Sequence, residues 1–453
     1  MHLTRSTLRN ESITEGDVAV CRAVLAVATT LMCAIGVIVG THPDHLRIAR
    51  VIAGSPRPVP PACAPKWVTG WHASAQPGAA DPALAGATLR MIVYPQVTGP
   101  EVRVRLSNAY GEAPLVIGTV SAARTEGTAA LVAGTLRRVA FGGMSGAVIP
   151  PGEEVLSDPV PVVAEAGKPL AVSIYLPVRP DVVTRHALSL QTSYMSRAGD
   201  VALDDRATTF DTPLYSWLVL TGVEVLAPRA TNAVIAIGDS ITDGMGGRLD
   251  AQQRWSDALA ARLASAGGAS RMAVLNAGIS SNRLLVDATR IGGDSPLTRL
   301  GRDVRAVQNL TDVVLNGGTN DVADGRSAEE IVAGLQAFAA RVHAAGKRVF
   351  LTTITPSEAR EHGAPAAIAT RAAVNAWILG HGREHADGVF DFAAAVADRA
   401  RPSRLAPAFD AGDGLHLSAA GYHALANAVD ITQLTGSPCL ADTSPVLLAI
   451  AQR

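Results

Sequence analysis

Beginning near residue 229, short apolar runs alternate with segments of helical period, and this alternation constrains the fold more than any other feature of the chain. Ala233 to Ile237 is a run of five apolar residues, followed at once by Gly238-Asp239-Ser240. Trp255, Leu259 and Leu263 then recur every four residues, which places them on one face of a helix. Met272 to Leu275 and Val313 to Leu315 are further apolar runs, the latter ending at Asn316-Gly317-Gly318. Ser327 and Glu330 form a capping box before a helix that carries Ile331, Leu335, Phe338 and Val342 on one side, with Gly346 closing it. Val349 to Ile354 is another strand. Buried strands joined by helices build a parallel sheet covered on both faces. The pattern predicts an α/β domain over residues 229–436, followed by a tail over 437–453.

The stretch from 67 to 228 has a different period. Val102, Val104 and Leu106 alternate with Arg103 and Arg105, and Val172, Ile174 and Leu176 alternate with Ser173 and Tyr175. Period two marks half-buried strands, and turn formers such as Gly99-Pro100 and Pro150-Pro151-Gly152 separate them. The expectation is an all-β accessory domain of sandwich or jelly-roll-like form. Two domains also suit 453 residues, since one core seldom grows past roughly 250–300.

Residues 1–66 read as a leader and linker. Ala23 to Gly40 carries no charge, and six prolines lie between Pro43 and Pro65. The apolar run is long for a signal peptide and short for a bilayer span, so it fits a cleaved signal or a retained anchor. Either implies export, secreted or periplasmic, with membrane contact confined to this segment. Cys63 and Cys439 flank the part that reads as folded. In an oxidising compartment they could join its two ends by a disulfide; two separate thiols is the alternative. A net charge of -1 without any basic cluster argues against a nucleic-acid partner.

In open parallel sheets, ligands bind beyond the carboxyl ends of the strands. Ser240 falls at such an end, where a strand-to-helix turn exposes its hydroxyl and leaves its amide at a helix N-terminus. Gly278 and Asn320 follow the second and third runs, so the Ser240 and Gly278 amides and the Asn320 side chain could converge as an oxyanion hole. Near the end of the domain, Asp413 precedes His416 by three residues. One turn of loop would let that carboxylate orient the imidazole, leaving its other nitrogen to take the serine proton. Asp239, Asp243 and Asp321 read as turn and cap residues, and Ser418 as the cap of a last helix.

Four segments together resemble the SGNH/GDSL serine hydrolases: Gly238-Asp239-Ser240-Ile241-Thr242, Asn276-Ala277-Gly278-Ile279-Ser280, Gly318-Thr319-Asn320-Asp321 and Asp413-Gly414-Leu415-His416. They occur in the family's order across about 200 residues. The resemblance implies a flavodoxin-like three-layer α/β/α fold, a Ser240–His416–Asp413 triad, an oxyanion hole from Ser240, Gly278 and Asn320, and hydrolysis of short-acyl esters through an acyl-enzyme. It implies no metal and no organic cofactor. Trp67-Val68-Thr69-Gly70-Trp71, Tyr215-Ser216-Trp217-Leu218 and the run from Ser295 to Asp303 resemble a bacterial extracellular branch with an N-terminal β-domain. Where the family often has Pro after the histidine, this chain has Leu417.

Two other functions fit the same residues. The partner could be an acylated glycan, making the chain a carbohydrate O-acetylesterase, or the β-domain could make it a polysaccharide-binding surface protein with secondary or lost esterase activity. His381-Gly382-Arg383-Glu384-His385 spells a zinc-protease pattern. Its glycine and its place at a helix end favour an ordinary polar terminus.

Overall fold

The computed structural model describes residues 61–288 and 291–441. The apolar run at 23–40, the linker up to residue 60 and the tail from 442 lie outside the described residues. Among the described residues, no helix is long and apolar enough to cross a membrane.

The alternating pattern forms a five-stranded parallel sheet from Ala233–Gly238, Ala273–Gly278, Leu310–Asn316, Arg348–Thr352 and Gly388–Phe390. Numbered along the chain, the strands lie in the order 2-1-3-4-5, a doubly wound arrangement whose switch point flanks the first strand. Gly238 is level with Gly278 on one side and Asn316 on the other. The three segments that leave these strands therefore start from one edge, beside one another.

Side chains along each strand point to opposite faces by turns. Val234, Ala236, Val274, Val314 and Phe350 bury one face under Trp255, Leu259, Leu263, Leu425 and Val429. Ile235, Ile237, Leu275, Val313, Leu315 and Leu351 bury the other under Ile331, Leu335, Phe338, Val342, Val374 and Ile378. The helices concerned are Trp255–Ala266, Ala328–Ala344, Pro365–His381 and Ala419–Ala428. The Ser327–Glu330 capping box is formed in both directions, and Ser418 caps the last helix by accepting from the Gly421 amide. The three-residue strand Gly388–Phe390 has no signal of its own in the sequence, being too short to show a period.

Upstream, the strands are antiparallel. One sheet runs in the order Lys66–His72, Leu220–Ala227, Val102–Ser107 and Glu154–Leu156; a second contains Ala87–Val93, Leu170–Leu176 and Val120–Arg124 at its centre. Val68, Val104, Leu106, Val223, Leu89, Met91, Val172 and Ile174 belong to the same apolar cluster as Leu275, Leu300, Val304 and Leu335 of the α/β region. The β region and the α/β region thus share a core. Their backbones also join, through the Thr69 amide to the Gln308 carbonyl (3.3 Å) and the Gln308 amide to Thr69 Oγ1 (2.9 Å). A disulfide between Cys63 and Cys439, with Cα atoms 5.3 Å apart, ties the start of the β region to the end of the α/β region.

Candidate active site

Ser240 is the first residue of a one-turn helix, Ser240–Asp243, at the end of the first parallel strand. Asp239 caps that turn by accepting from the Ile241 amide at 3.0 Å, and Gly244 ends it at φ +100°, a left-handed conformation suited to glycine. The Ser240 amide, first of its helix, finds no acceptor among the described residues.

His416 Nε2 lies 2.9 Å from Ser240 Oγ. Its Nδ1 lies 2.6 Å from Asp413 Oδ2. The other carboxylate oxygen of Asp413 accepts from the amides of Leu415 (3.0 Å) and His416 (2.8 Å), so the aspartate is fixed by the loop it belongs to. Gly414 makes that turn possible at φ +75°. Carboxylate, imidazole and hydroxyl stand in one hydrogen-bonded row. Partial burial works against the charge on Asp413, but the two amides and the His416 ring prevail and hold its carboxyl at about 2. It is therefore ionised at neutral pH and able to orient the ring.

Asn320 sits in the helix Thr319–Ala323 and donates from Nδ2 to the Asn282 carbonyl at 2.8 Å. An amide nitrogen has two hydrogens, so a second donor remains. Asp321 accepts from the Leu284 and Leu285 amides at 2.8 and 3.0 Å and so anchors the segment that also carries Asn282.

Gly278 requires a correction. Its amide donates to Asn276 Oδ1 at 2.8 Å and is not free to serve an oxyanion. A Cβ at this position would come within 2.2 Å of the Asp243 amide nitrogen. Glycine is needed here because the strand end packs directly on the helix that begins with Ser240. The unengaged amide in this segment is that of Ser281, a non-glycine residue at φ +63°. Ser281 is bracketed by the site. Ser280 donates to Asp243 from both its amide and its hydroxyl (2.8 and 2.7 Å), and Asn282 receives Asn320.

Other residues of the site's surroundings could not be read from sequence. Asp243 also meets His186 Nε2, from the β region, at 2.9 Å. Arg299, buried with 1 % exposure, reaches the ends of the first two parallel strands and pairs with Asp303. Both arginine and aspartate lie in the Ser295–Asp303 run, which marked them by resemblance without giving them a role. That run forms a turn and then the short helix Gly301–Arg305.

The zinc-like pattern is dispersed. His381 Nδ1 contacts Glu384 at 2.9 Å, while His385 stacks on Trp377 and faces Gln336. Among the described residues, no group of three or more His, Cys, Asp or Glu side chains is arranged to hold a metal ion.

A doubly wound parallel sheet with a serine, a histidine and an aspartate in one row at its switch point suits a hydrolase. Residues 236–424 match the GDSL-like Lipase/Acylhydrolase family. Among solved structures, the chain is similar to the M. smegmatis aryl esterase, at 20% identity and TM-score 0.35, covering 44% of this chain and 96% of that one. It is similar to a carbohydrate acetylesterase from Sinorhizobium meliloti at 20% identity and TM-score 0.34, over 44% and 96% of the two chains. A GDSL-like lipase from Bacteroides thetaiotaomicron follows at 19% identity and TM-score 0.33, over 45% and 87%. No curated protein matches the chain.

Proposed function

We propose that the protein is a serine esterase that hydrolyses short-acyl carboxylic esters by two-step acyl transfer. The observation that carries this is the row Asp413–His416–Ser240, with contacts of 2.6 and 2.9 Å. His416 Nε2 takes the Ser240 proton as Oγ attacks the ester carbonyl. The negative charge that develops on the carbonyl oxygen is received by the Ser240 amide and by Asn320 Nδ2. We assign the third donor to the Ser281 amide, in place of Gly278. His416 then gives its proton to the departing alcohol, and water activated by the same ring releases the acid. No step calls on a metal or an organic cofactor.

The β region is read as a sandwich-like accessory domain that supports the site from one side, through the contact of His186 with Asp243 among others. Export is part of the same proposal. A Cys63–Cys439 bridge requires an oxidising compartment, and the apolar run at 23–40 supplies a means of reaching one.

The test is a chain-length series of p-nitrophenyl esters, with acetylated glycans beside it, on wild type and Ser240→Ala. Turnover of short esters that vanishes in Ser240→Ala is the expected result. Turnover retained by the variant overturns the mechanism, and a preference for acetylated glycan moves the substrate to carbohydrate.

A further inference from the structure

Arg299 touches two of the three segments that bear a proposed oxyanion donor and reaches the third, Asn320, through Asn282. Its Nη1 donates to the Ala277 carbonyl at 2.8 Å, where the second parallel strand turns toward Ser281. Its Nη2 donates to the Gly238 carbonyl at 3.3 Å, two residues before Ser240. The same nitrogen donates to Asn282 Oδ1 at 3.0 Å, and the carbonyl of Asn282 is the acceptor for Asn320 Nδ2 at 2.8 Å. One guanidinium therefore connects the Ser240 turn, the Ser281 loop and Asn320.

The cation is itself held from the β region. Asp303 pairs with Nη1, and Ser74 Oγ accepts from the same nitrogen at 3.0 Å. Ser74 Oγ also lies 2.8 Å from Asp303 Oδ2, and His72 Nε2 lies 3.0 Å from Asp303 Oδ1. Arg299, Asp303 and Ser74 are each no more than 1 % exposed. Burial opposes the charge on Asp303, yet Arg299 and then His72 and Ser74 keep its carboxyl well below the usual carboxylate range.

A buried ion pair contributes little net stability over apolar packing of the same volume. What it provides is placement. Guanidinium is a planar fork with five donors at fixed angles, and a lysine cannot reproduce that reach. An oxyanion site depends on such placement, since a shift of about 1 Å in a reacting geometry can cost about 10²-fold in rate.

We propose that Arg299 is a positioning residue for the oxyanion site, a cation anchored by Ser74, His72 and Asp303 that sets the Ser240 and Ser281 amides and Asn320 Nδ2 relative to one another. This role presupposes the Ser240–His416–Asp413 mechanism proposed above. It gives the β region a part in turnover, because two of the anchors belong to that region.

The test measures kcat and KM separately for Arg299→Lys, Asn320→Ala and the double variant, with melting temperatures alongside. Arg299→Lys is expected to lower kcat about 100-fold with KM within about threefold of wild type. Because Arg299 acts through the donors, the double variant is expected within about tenfold of the worse single variant, not at the product of the two losses. A folded Arg299→Lys with kcat within threefold of wild type overturns the proposal, as do fully multiplicative losses. Should Arg299→Lys fail to fold, Asn282→Ala removes the same link to Asn320 and is held to the same split, a folded variant with unchanged kcat again overturning it. Ser240→Ala run in parallel separates the two failures. Turnover retained there refutes the triad itself, whereas its loss together with an unchanged Arg299→Lys refutes only the positioning role.

Discussion

His186 Nε2 of the β region lies 2.9 Å from Asp243 Oδ1, and Asp243 closes the helical turn that begins with Ser240. The other ring nitrogen of His186 faces the Ser74 carbonyl at 3.0 Å. Both partners are buried, so an alanine at 186 leaves the Asp243 oxygen without its ring partner and without water. Loss of a partner from a buried acceptor costs about 1–3 kcal/mol. His186→Ala is therefore expected to lower the unfolding free energy by that much, and to reduce kcat because the Ser240 turn loses one of its supports. Asp243 keeps Ser280, so the variant should still fold. Equilibrium urea unfolding together with steady-state kinetics checks both effects.

In the proposed mechanism Asn320 contributes a side-chain donor to charge that exists in the transition state and not in the bound ester. Its removal is expected to lower kcat by about 10²–10³ while leaving KM within a few-fold. Asn320→Ala also removes the donor to the Asn282 carbonyl, a single hydrogen bond with a net contribution of about 0.5–1.5 kcal/mol. Stability should consequently change much less than rate. A KM effect with constant kcat would assign Asn320 to substrate binding instead.

Asp239 precedes Ser240 and is almost wholly buried, and burial pushes its carboxyl up to about 6, against the pull of the Ile241 amide. One of its oxygens has no hydrogen-bond partner. The folded protein therefore holds this proton more tightly than the unfolded chain, whose carboxyl has its ordinary value of 3.8. The contribution to stability is complete below that ordinary value and is lost as pH rises through about 6. The difference between the melting curves of wild type and Asp239→Asn isolates it: wild type should lose stability relative to the variant between pH 4 and 6, by an amount on the order of 3 kcal/mol. A constant difference across that range would mean that Asp239 is ionised throughout.

Ser240, Asp413 and His416 are legible in the sequence because each belongs to a contiguous motif whose local conformation follows from its own residues. A glycine after a strand, an aspartate before a helix and a three-residue return from carboxylate to imidazole need no distant information. Gly278 shows where this ends. A glycine that offers its amide and a glycine that makes room for a neighbouring backbone look alike in sequence, and only the approach of Asp243 distinguishes them. The strands were legible wherever their period ran long enough, which is why Gly388–Phe390 escaped. His186 and Arg299 escaped for another reason. Their partners lie 57 and 61 residues away, at Asp243 and Gly238, and a buried polar contact between distant segments leaves no pattern in either one.

Cys63 and Cys439 are separated by 376 residues, so their bridge closes a loop that contains both sheet systems. Cross-linking across so long a loop restricts the unfolded chain more than the folded one, and removal of a native disulfide typically costs about 2–5 kcal/mol. The segment before Cys439 is held by other means as well, since the Asn232 amide donates to Ser437 Oγ at 2.8 Å and the Asn232 side chain to the Gly436 carbonyl at 2.7 Å. Those contacts, and the core shared by the two regions, lie inside the loop and do not depend on the sulfurs. The Cys63→Ala, Cys439→Ala double variant is therefore expected to fold and keep wild-type kcat, with a melting temperature lowered by several degrees. Reduction of the wild type by dithiothreitol should lower its melting temperature to that of the double variant, and should leave the double variant unmoved. A wild type whose melting temperature is indifferent to reductant would show that the two sulfurs are not joined.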